Sequence, residues 1–245
     1  MTARIGVVVF PGSNCEHDVV RALGEVAGTG LAGTGVAGAG VVPAVEAELV
    51  WHQRPNLAGC DAVVLPGGFA HGDYLRPGAI ARFSPVMEAV ARFAAEGGPV
   101  VGICNGFQVL TEAGLLPGAL QKNKGLRFLC ATVGVTVCST RSVLTAEMTL
   151  GRHLELPINH FEGNYTCDEA TLERLRAEDR VVLRYRDNPN GSVDHIAGVC
   201  NETGNVVGLM PHPERACDRL TGATDGAVLL GSLITAAERR ARQPA

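Results

Sequence analysis

The chain has 245 residues, 46% hydrophobic and 19% charged, enough to bury a core without help from disulfides or metals. Its 21 Lys and Arg against 25 Asp and Glu leave a net charge of −4 with no long run of either sign, and only 4% of residues are aromatic. Nothing in that balance points to a nucleic-acid or membrane surface.

No apolar stretch is long enough to span a bilayer. The apolar run in MTARIGVVVF is too short for the core of a signal peptide, so a cytoplasmic protein is expected. The 8 cysteines show no C-x-x-C pair and no Cys/His cluster with zinc spacing, so free thiols and no metal are expected.

Ile5 to Phe10 is a continuous apolar run closed by Pro11-Gly12-Ser13-Asn14, the pattern of a buried strand. Cys15 to Val26 follows with Val19, Val20, Leu23 and Val26 on one helical face and Ser13 or Asn14 as the cap. Ser13, Asn14, His17 and Asp18 form a polar cluster at the strand's carboxyl end, where open α/β sheets place ligands. Residues 27–44 (AGTGLAGTGVAGAGVVPA) contain a G-x-G-x-x-G spacing, but no strand leads into it and the tract is repetitive. It reads as a flexible surface insertion rather than a phosphate loop.

Ala47–His52 and Asp61–Leu65 are further strands, the latter opening into Pro66-Gly67-Gly68. Paired glycines directly after a strand bring bare backbone N–H groups to the ligand-binding edge, one half of an oxyanion hole. Ala79 to Gly97 has the spacing of a crossover helix interrupted early by Pro85. Val100, Val101 and Ile103 then form a short buried strand that ends in Gly102-Ile103-Cys104-Asn105-Gly106, after which Phe107, Val109 and Leu110 resume at helical spacing.

Strand, G-x-C-x-G and helix together have the form of a nucleophile elbow. The flanking glycines allow the tight turn, and the free N–H groups of the following helix favour a thiolate at Cys104. The Asn105 N–H would complete the oxyanion hole.

Downstream, Ala131–Val137 and Leu154–Ile158 read as strands of an antiparallel extension, and Thr171–Ala177 as a helix capped by Asp168 or Thr166. Val181–Tyr185, His195–Cys200 and Asn205–Met210 are short strands, and Gly226–Arg242 is a closing helix before a frayed tail at 243–245. The alternation predicts a single α/β domain over 1–245. It is a doubly wound, mostly parallel sheet with flanking helices.

A neutral thiol needs a base. His212 sits in Pro211-His212-Pro213-Glu214 immediately after a strand, with Glu214 close enough to orient its ring. His160 is the competing base, otherwise a substrate contact. His71 and His52 are weaker.

GICNGFQ with PHPE downstream resembles the class I (triad) glutamine amidotransferase family, whose fold is flavodoxin-like. Within it, LPGGFAHGDYLRPGAIAR, NKGLRF, HFEGNY and DNPNGS resemble the glutaminases that serve purine biosynthesis. The resemblance implies a glutaminase in which Cys104 forms a glutamyl thioester, His212 moves the proton, Glu214 orients it, and the Gly68 and Asn105 N–H groups hold the oxyanion. Gln108 is then a contact for the substrate's polar end, beside Gly67 and His160.

It also implies partners. A large ATP-dependent synthetase subunit and a small third subunit would use the ammonia to convert formylglycinamide ribonucleotide to its amidine. Mg-ATP belongs on that synthetase, with no cofactor on this chain. The rival readings are another class I amidotransferase subunit and a DJ-1/PfpI-like cysteine-elbow protein; PHPE argues against the second.

Overall fold

A computed structural model describes residues 2–29, 45–57, 59–219 and 222–243. Most of the Gly/Ala-rich stretch at 27–44, and the end of the tail, lie outside the described residues. In chain order the strands are β1 (Ala3–Val9), β2 (Val45–Trp51), β3 (Ala62–Leu65), β4 (Val100–Ile103), β5 (Ala119–Gln121) and β6 (Leu129–Val137). They continue with β7 (His153–His160), β8 (Asn164–Thr166), β9 (Val181–Tyr185), β10 (Ile196–Cys200) and β11 (Val206–Leu209). The helices are α1 (Glu16–Thr29), α2 (Pro85–Ala95), α3 (Asn105–Glu112), α4 (Glu169–Ala177) and α5 (Asp225–Ala241).

Nine strands form one sheet in the order β2-β1-β3-β4-β11-β10-β9-β6-β7. From β2 to β11 every pairing is parallel, and from β11 to β7 every pairing is antiparallel. Residue type explains the division. β3, β4 and β11 are unbroken apolar runs buried along their whole length, as strands covered on both faces must be. β7 alternates exposed and buried positions instead, the signature of a sheet with one wet face. α1 and α5 pack on each other and on β1, while α3 packs on β3, β4 and β11. Phe107 is fully buried and stacks on Tyr165 with ring centroids 5.9 Å apart, which fastens α3 to the small antiparallel pair β5–β8.

Two local expectations are corrected, and at α4 one of the two expected caps is selected. Neither Ser13 nor Asn14 caps α1: the Val19 N–H donates to the Cys15 carbonyl, so Cys15 holds the cap position. Ser13 Oγ accepts from the Phe10 N–H at 3.1 Å, and Asn14 Oδ1 from the Cys15 thiol at 3.1 Å. Pro85 does not interrupt a helix. It opens α2 at the first position, where its missing N–H would be unpaired anyway, after a 3₁₀ turn at Ala81–Phe83. At α4 it is Asp168, not Thr166, that caps, accepting from the Thr171 N–H at 2.8 Å. The pairing of β5 with β8 was not expected, because three-residue strands carry no readable periodicity.

Candidate active site

The carboxyl ends of β1, β3, β4 and β11 deliver their loops to one edge of the sheet. Cys104 terminates β4 with φ 50° and ψ −104°, a left-handed conformation that is strained for a residue with a side chain. Its surroundings enforce the turn. A Cβ on Gly102 would lie 2.6 Å from Leu110 Cδ1, and one on Gly106 would lie 1.9 Å from the Leu65 carbonyl oxygen. The two small residues of G-x-C-x-G are therefore demanded by packing as well as by the bend. The Cys104 N–H donates to the Leu209 carbonyl at 2.8 Å, extending the β4–β11 ladder by one rung.

His212 follows β11 and is anchored by its own N–H, which donates to the Pro157 carbonyl on β7 at 2.8 Å. Its Nδ1 lies 2.6 Å from Glu214 Oε1, and both side chains are almost wholly buried. A carboxylate can only accept, so Nδ1 carries the proton and Nε2 is left as the basic nitrogen. Burial by itself would lower the His212 pKa. The Glu214 carboxylate and the Cys104 thiol outweigh that and raise it well above the ordinary value. His212 Nε2 has no hydrogen-bond partner of its own.

His160, the competing base, is differently placed. Its Nδ1 is 3.1 Å from Asn123 Oδ1, and burial, assisted by His212, pushes its pKa down to about 4. A ring so reluctant to take a proton is a poor base near neutrality.

Gly68 has φ +140°, and a Cβ there would lie 2.7 Å from the Asn14 nitrogen. Among the described residues, no other backbone carbonyl takes up the N–H of Gly68 or of Asn105, the first residue of α3. Gly67 serves a different purpose from its neighbour. A Cβ on it would meet His212 Cε1 at 2.7 Å and Cys15 Sγ at 3.1 Å.

These groups surround a cleft lined by Cys104, His212, Gly68, Gln108, His160, Asn14 and Cys15 among others. Gly67, Asn105 and Glu214 do not line it but support those that do.

Sequence reasoning missed several members. Asn105 matters through its side chain too: Oδ1 accepts from the Ala70 N–H at 2.9 Å, and Nδ2 donates to Asp73 Oδ1 at 3.0 Å and to Gln108 Oε1 at 2.9 Å. Gln108 Nε2 donates in turn to the Glu162 carbonyl at 2.5 Å, so both ends of the Gln108 amide are engaged by the protein. Asp73 lines the cleft, and burial foremost raises its carboxyl to about 6. It lies within GDYLRPGAIAR, but nothing in that stretch singles out the aspartate. Of the polar cluster after β1, Asn14 reaches the cleft, whereas Asp18 sits 3.5 Å from Arg215 and His17 is largely exposed. Among the described residues, one set of potential metal donors converges, Cys15, His212 and Glu214, within 4.8 Å of one another.

A family model described as a CobB/CobQ-like glutamine amidotransferase domain matches residues 2–225. The chain belongs to that family. As a glutamine amidotransferase it has full-length relatives. It is 56% identical to the phosphoribosylformylglycinamidine synthase subunit PurQ of Rubrobacter xylanophilus, over 96% of this chain and 99% of the relative. It is 49% identical to that of Koribacter versatilis, over 97% and 100%.

Among solved structures, a chain of PurLQS from Thermotoga maritima matches with a TM-score of 0.81 and 39% identity, covering 96% of this chain and 99% of that one. The glutaminase domain of Trypanosoma brucei CTPS, with bound acivicin, matches at a TM-score of 0.61 and 16% identity, a likeness of fold alone. The amidotransferase fold and family are as the motifs suggested, and the DJ-1-like alternative falls. No helix among the described residues is long and apolar enough to cross a membrane.

Proposed function

We propose that this chain is the glutaminase subunit of a phosphoribosylformylglycinamidine synthase, releasing ammonia from glutamine for an ATP-dependent synthetase subunit. One observation carries the chemistry: a strained Cys104 at the end of β4 shares a cleft with His212, whose ring is paired with the buried Glu214. His212 Nε2 takes the Cys104 proton as sulfur attacks the side-chain carbonyl carbon of glutamine. The oxyanion accepts from the N–H groups of Gly68 and Asn105. Collapse breaks the C–N bond, and His212 returns the proton to the departing ammonia. Water, deprotonated by the same nitrogen, then cleaves the glutamyl thioester to glutamate and restores the thiol.

Glu214 keeps the ring in the required tautomer and stabilises the imidazolium. Gln108, with Asn105, holds the α3 end of the cleft to the Glu162 segment, and Gly67 leaves room for the His212 ring. His160, neutral, forms part of the substrate wall. The ammonia passes to a synthetase subunit that converts formylglycinamide ribonucleotide to formylglycinamidine ribonucleotide, with a small third subunit completing the complex. Phe69 and Phe128 line the cleft and are about half exposed, and Tyr74 and Leu75, farther along the loop from Phe69, are more exposed still, which suits a partner seated over the mouth.

The test is Cys104→Ala in the reconstituted complex. Glutamine-dependent synthesis should vanish while ammonia-dependent synthesis persists, and loss of both would refute the assignment. A glutamine-mimicking diazoketone should label the wild-type chain once, on Cys104, with protection by excess glutamine.

A further inference from the structure

We infer that Cys15, His212 and Glu214 form a binding site for a thiophilic divalent cation, zinc above all, whose occupation silences the enzyme. The glutaminase mechanism uses His212 and Glu214 but has no task for Cys15, although its sulfur lies within 4.8 Å of a ligand atom of each. Thiolate, imidazole and carboxylate are the donor set that zinc selects. All three residues are buried, at 2%, 2% and 1% relative exposure. The pair's bonding capacity is also unfilled, since Glu214 Oε2 is buried without a partner, and the ion would take Nδ1, the His212 nitrogen that faces Glu214.

The site is built from distant parts of the chain. Cys15 comes from the amino end of α1, and the other two follow β11. They approach over Gly67, where any side chain would collide with both the sulfur and the ring. A supporting contact is already in place: Arg215 donates to Cys15 Sγ at 3.1 Å and is itself 3.5 Å from Asp18. Such N–H···S bonds from outside a metal's ligand shell orient a thiolate. Cys15 and His212 both line the cleft, so an ion can enter from solvent. On binding at Nδ1, the Cys15 thiol proton leaves to water, the Nδ1 proton passes through water to Nε2, and a water molecule completes the coordination. An imidazole held by the ion cannot accept the Cys104 proton, so occupation and turnover exclude each other.

Cobalt(II) is the probe, and Cys104→Ala is the host, which removes the nucleophilic sulfur and makes the test independent of glutaminase activity. The C104A chain should bind one equivalent with a thiolate-to-cobalt charge-transfer band that zinc(II) bleaches. The band should be lost in C104A/C15S, and zinc affinity should fall at least tenfold in C104A/E214Q, with melting curves confirming that each variant is folded. Absence of the band in C104A, or its survival in C104A/C15S, overturns the site. In the active enzyme, zinc should inhibit glutamine hydrolysis reversibly to a chelator, and Cys15→Ser should require at least tenfold more zinc. Equal sensitivity of that variant would overturn the link to turnover.

Discussion

Replacing Gly106 by alanine sets two effects against each other. In a free helix the change is favourable by about 1 kcal/mol, since alanine loses less backbone entropy. Here the new Cβ would sit 1.9 Å from the Leu65 carbonyl oxygen and 2.6 Å from its carbonyl carbon. Backbone groups cannot swing aside as a side chain would, so α3 and the end of β3 must separate by about 1.1 Å merely to reach 3.0 Å. Overpacking of this kind costs about 1–3 kcal/mol, and with no flexible neighbour to yield, the upper end applies. The net loss of about 2 kcal/mol should lower the melting temperature by about 4–8 °C in a chain of this size.

The larger effect is on chemistry. Leu65 leads directly into Gly67-Gly68 and Gly106 into the Asn105–Gln108 turn, so the same displacement pulls the two halves of the oxyanion site apart. A shift of about 1 Å between reacting groups costs roughly 100-fold. Calorimetry with steady-state glutaminase assays in the reconstituted complex measures both quantities. Melting unchanged and kcat/KM within threefold of wild type would refute the packing argument for the elbow.

Glu214→Gln keeps the shape of the buried pair but removes the charge that sustains the His212 imidazolium, so kcat should fall by roughly 10²–10⁴ with little change in KM. Ammonia-dependent synthesis in the same complex should be spared. Asp73 carries a pKa raised from 3.8 to about 6, chiefly by burial, so its ionised form is held less well in the folded chain than in the unfolded one. Its contribution therefore turns unfavourable as pH rises from about 4 through 6. Asp73→Asn should melt higher than wild type at pH 8, and the difference should disappear below about pH 4; a difference constant with pH would contradict the raised pKa. Asp168→Ala removes the acceptor for the Thr171 N–H and should cost about 1 kcal/mol, read as about 2–4 °C in melting. Glutaminase activity should be untouched, because α4 contributes nothing to the cleft.

Local chemistry made the elbow legible. The strand, the two glycines, the cysteine and the helix are consecutive, and each states its own conformational demand. The His212–Glu214 pair was readable for the same reason, two residues apart on a loop stiffened by prolines. What escaped depends on contacts distant in the chain. Cys15 meets Arg215 across 200 positions, and no spacing rule connects them. The side-chain bonds of Asn105 to Asp73 and Ala70 arise because a loop with three consecutive left-handed residues, His71, Gly72 and Asp73, folds back over α3. Ser13 and Asn14 are good caps in isolation but find other partners here, which leaves the cap of α1 to Cys15. Pro85 opens α2 where an interruption was expected, because an unbroken apolar pattern conceals where a helix begins.

The adjacency of β4 and β11 has a consequence for how activity is lost. Ile103 and Leu209 are register partners in a parallel pair, and the Cys104 amide closes the next rung. The nucleophile and its base thus leave the sheet one interstrand step apart, a spacing of about 4.8 Å set by backbone hydrogen bonds. That ladder lies mid-sheet, with β3 and β10 on its outer sides, so its amides exchange with solvent only when the central sheet opens. Hydrogen exchange at Cys104 should therefore track global unfolding, and warming should dismantle the catalytic pair and the fold in one event.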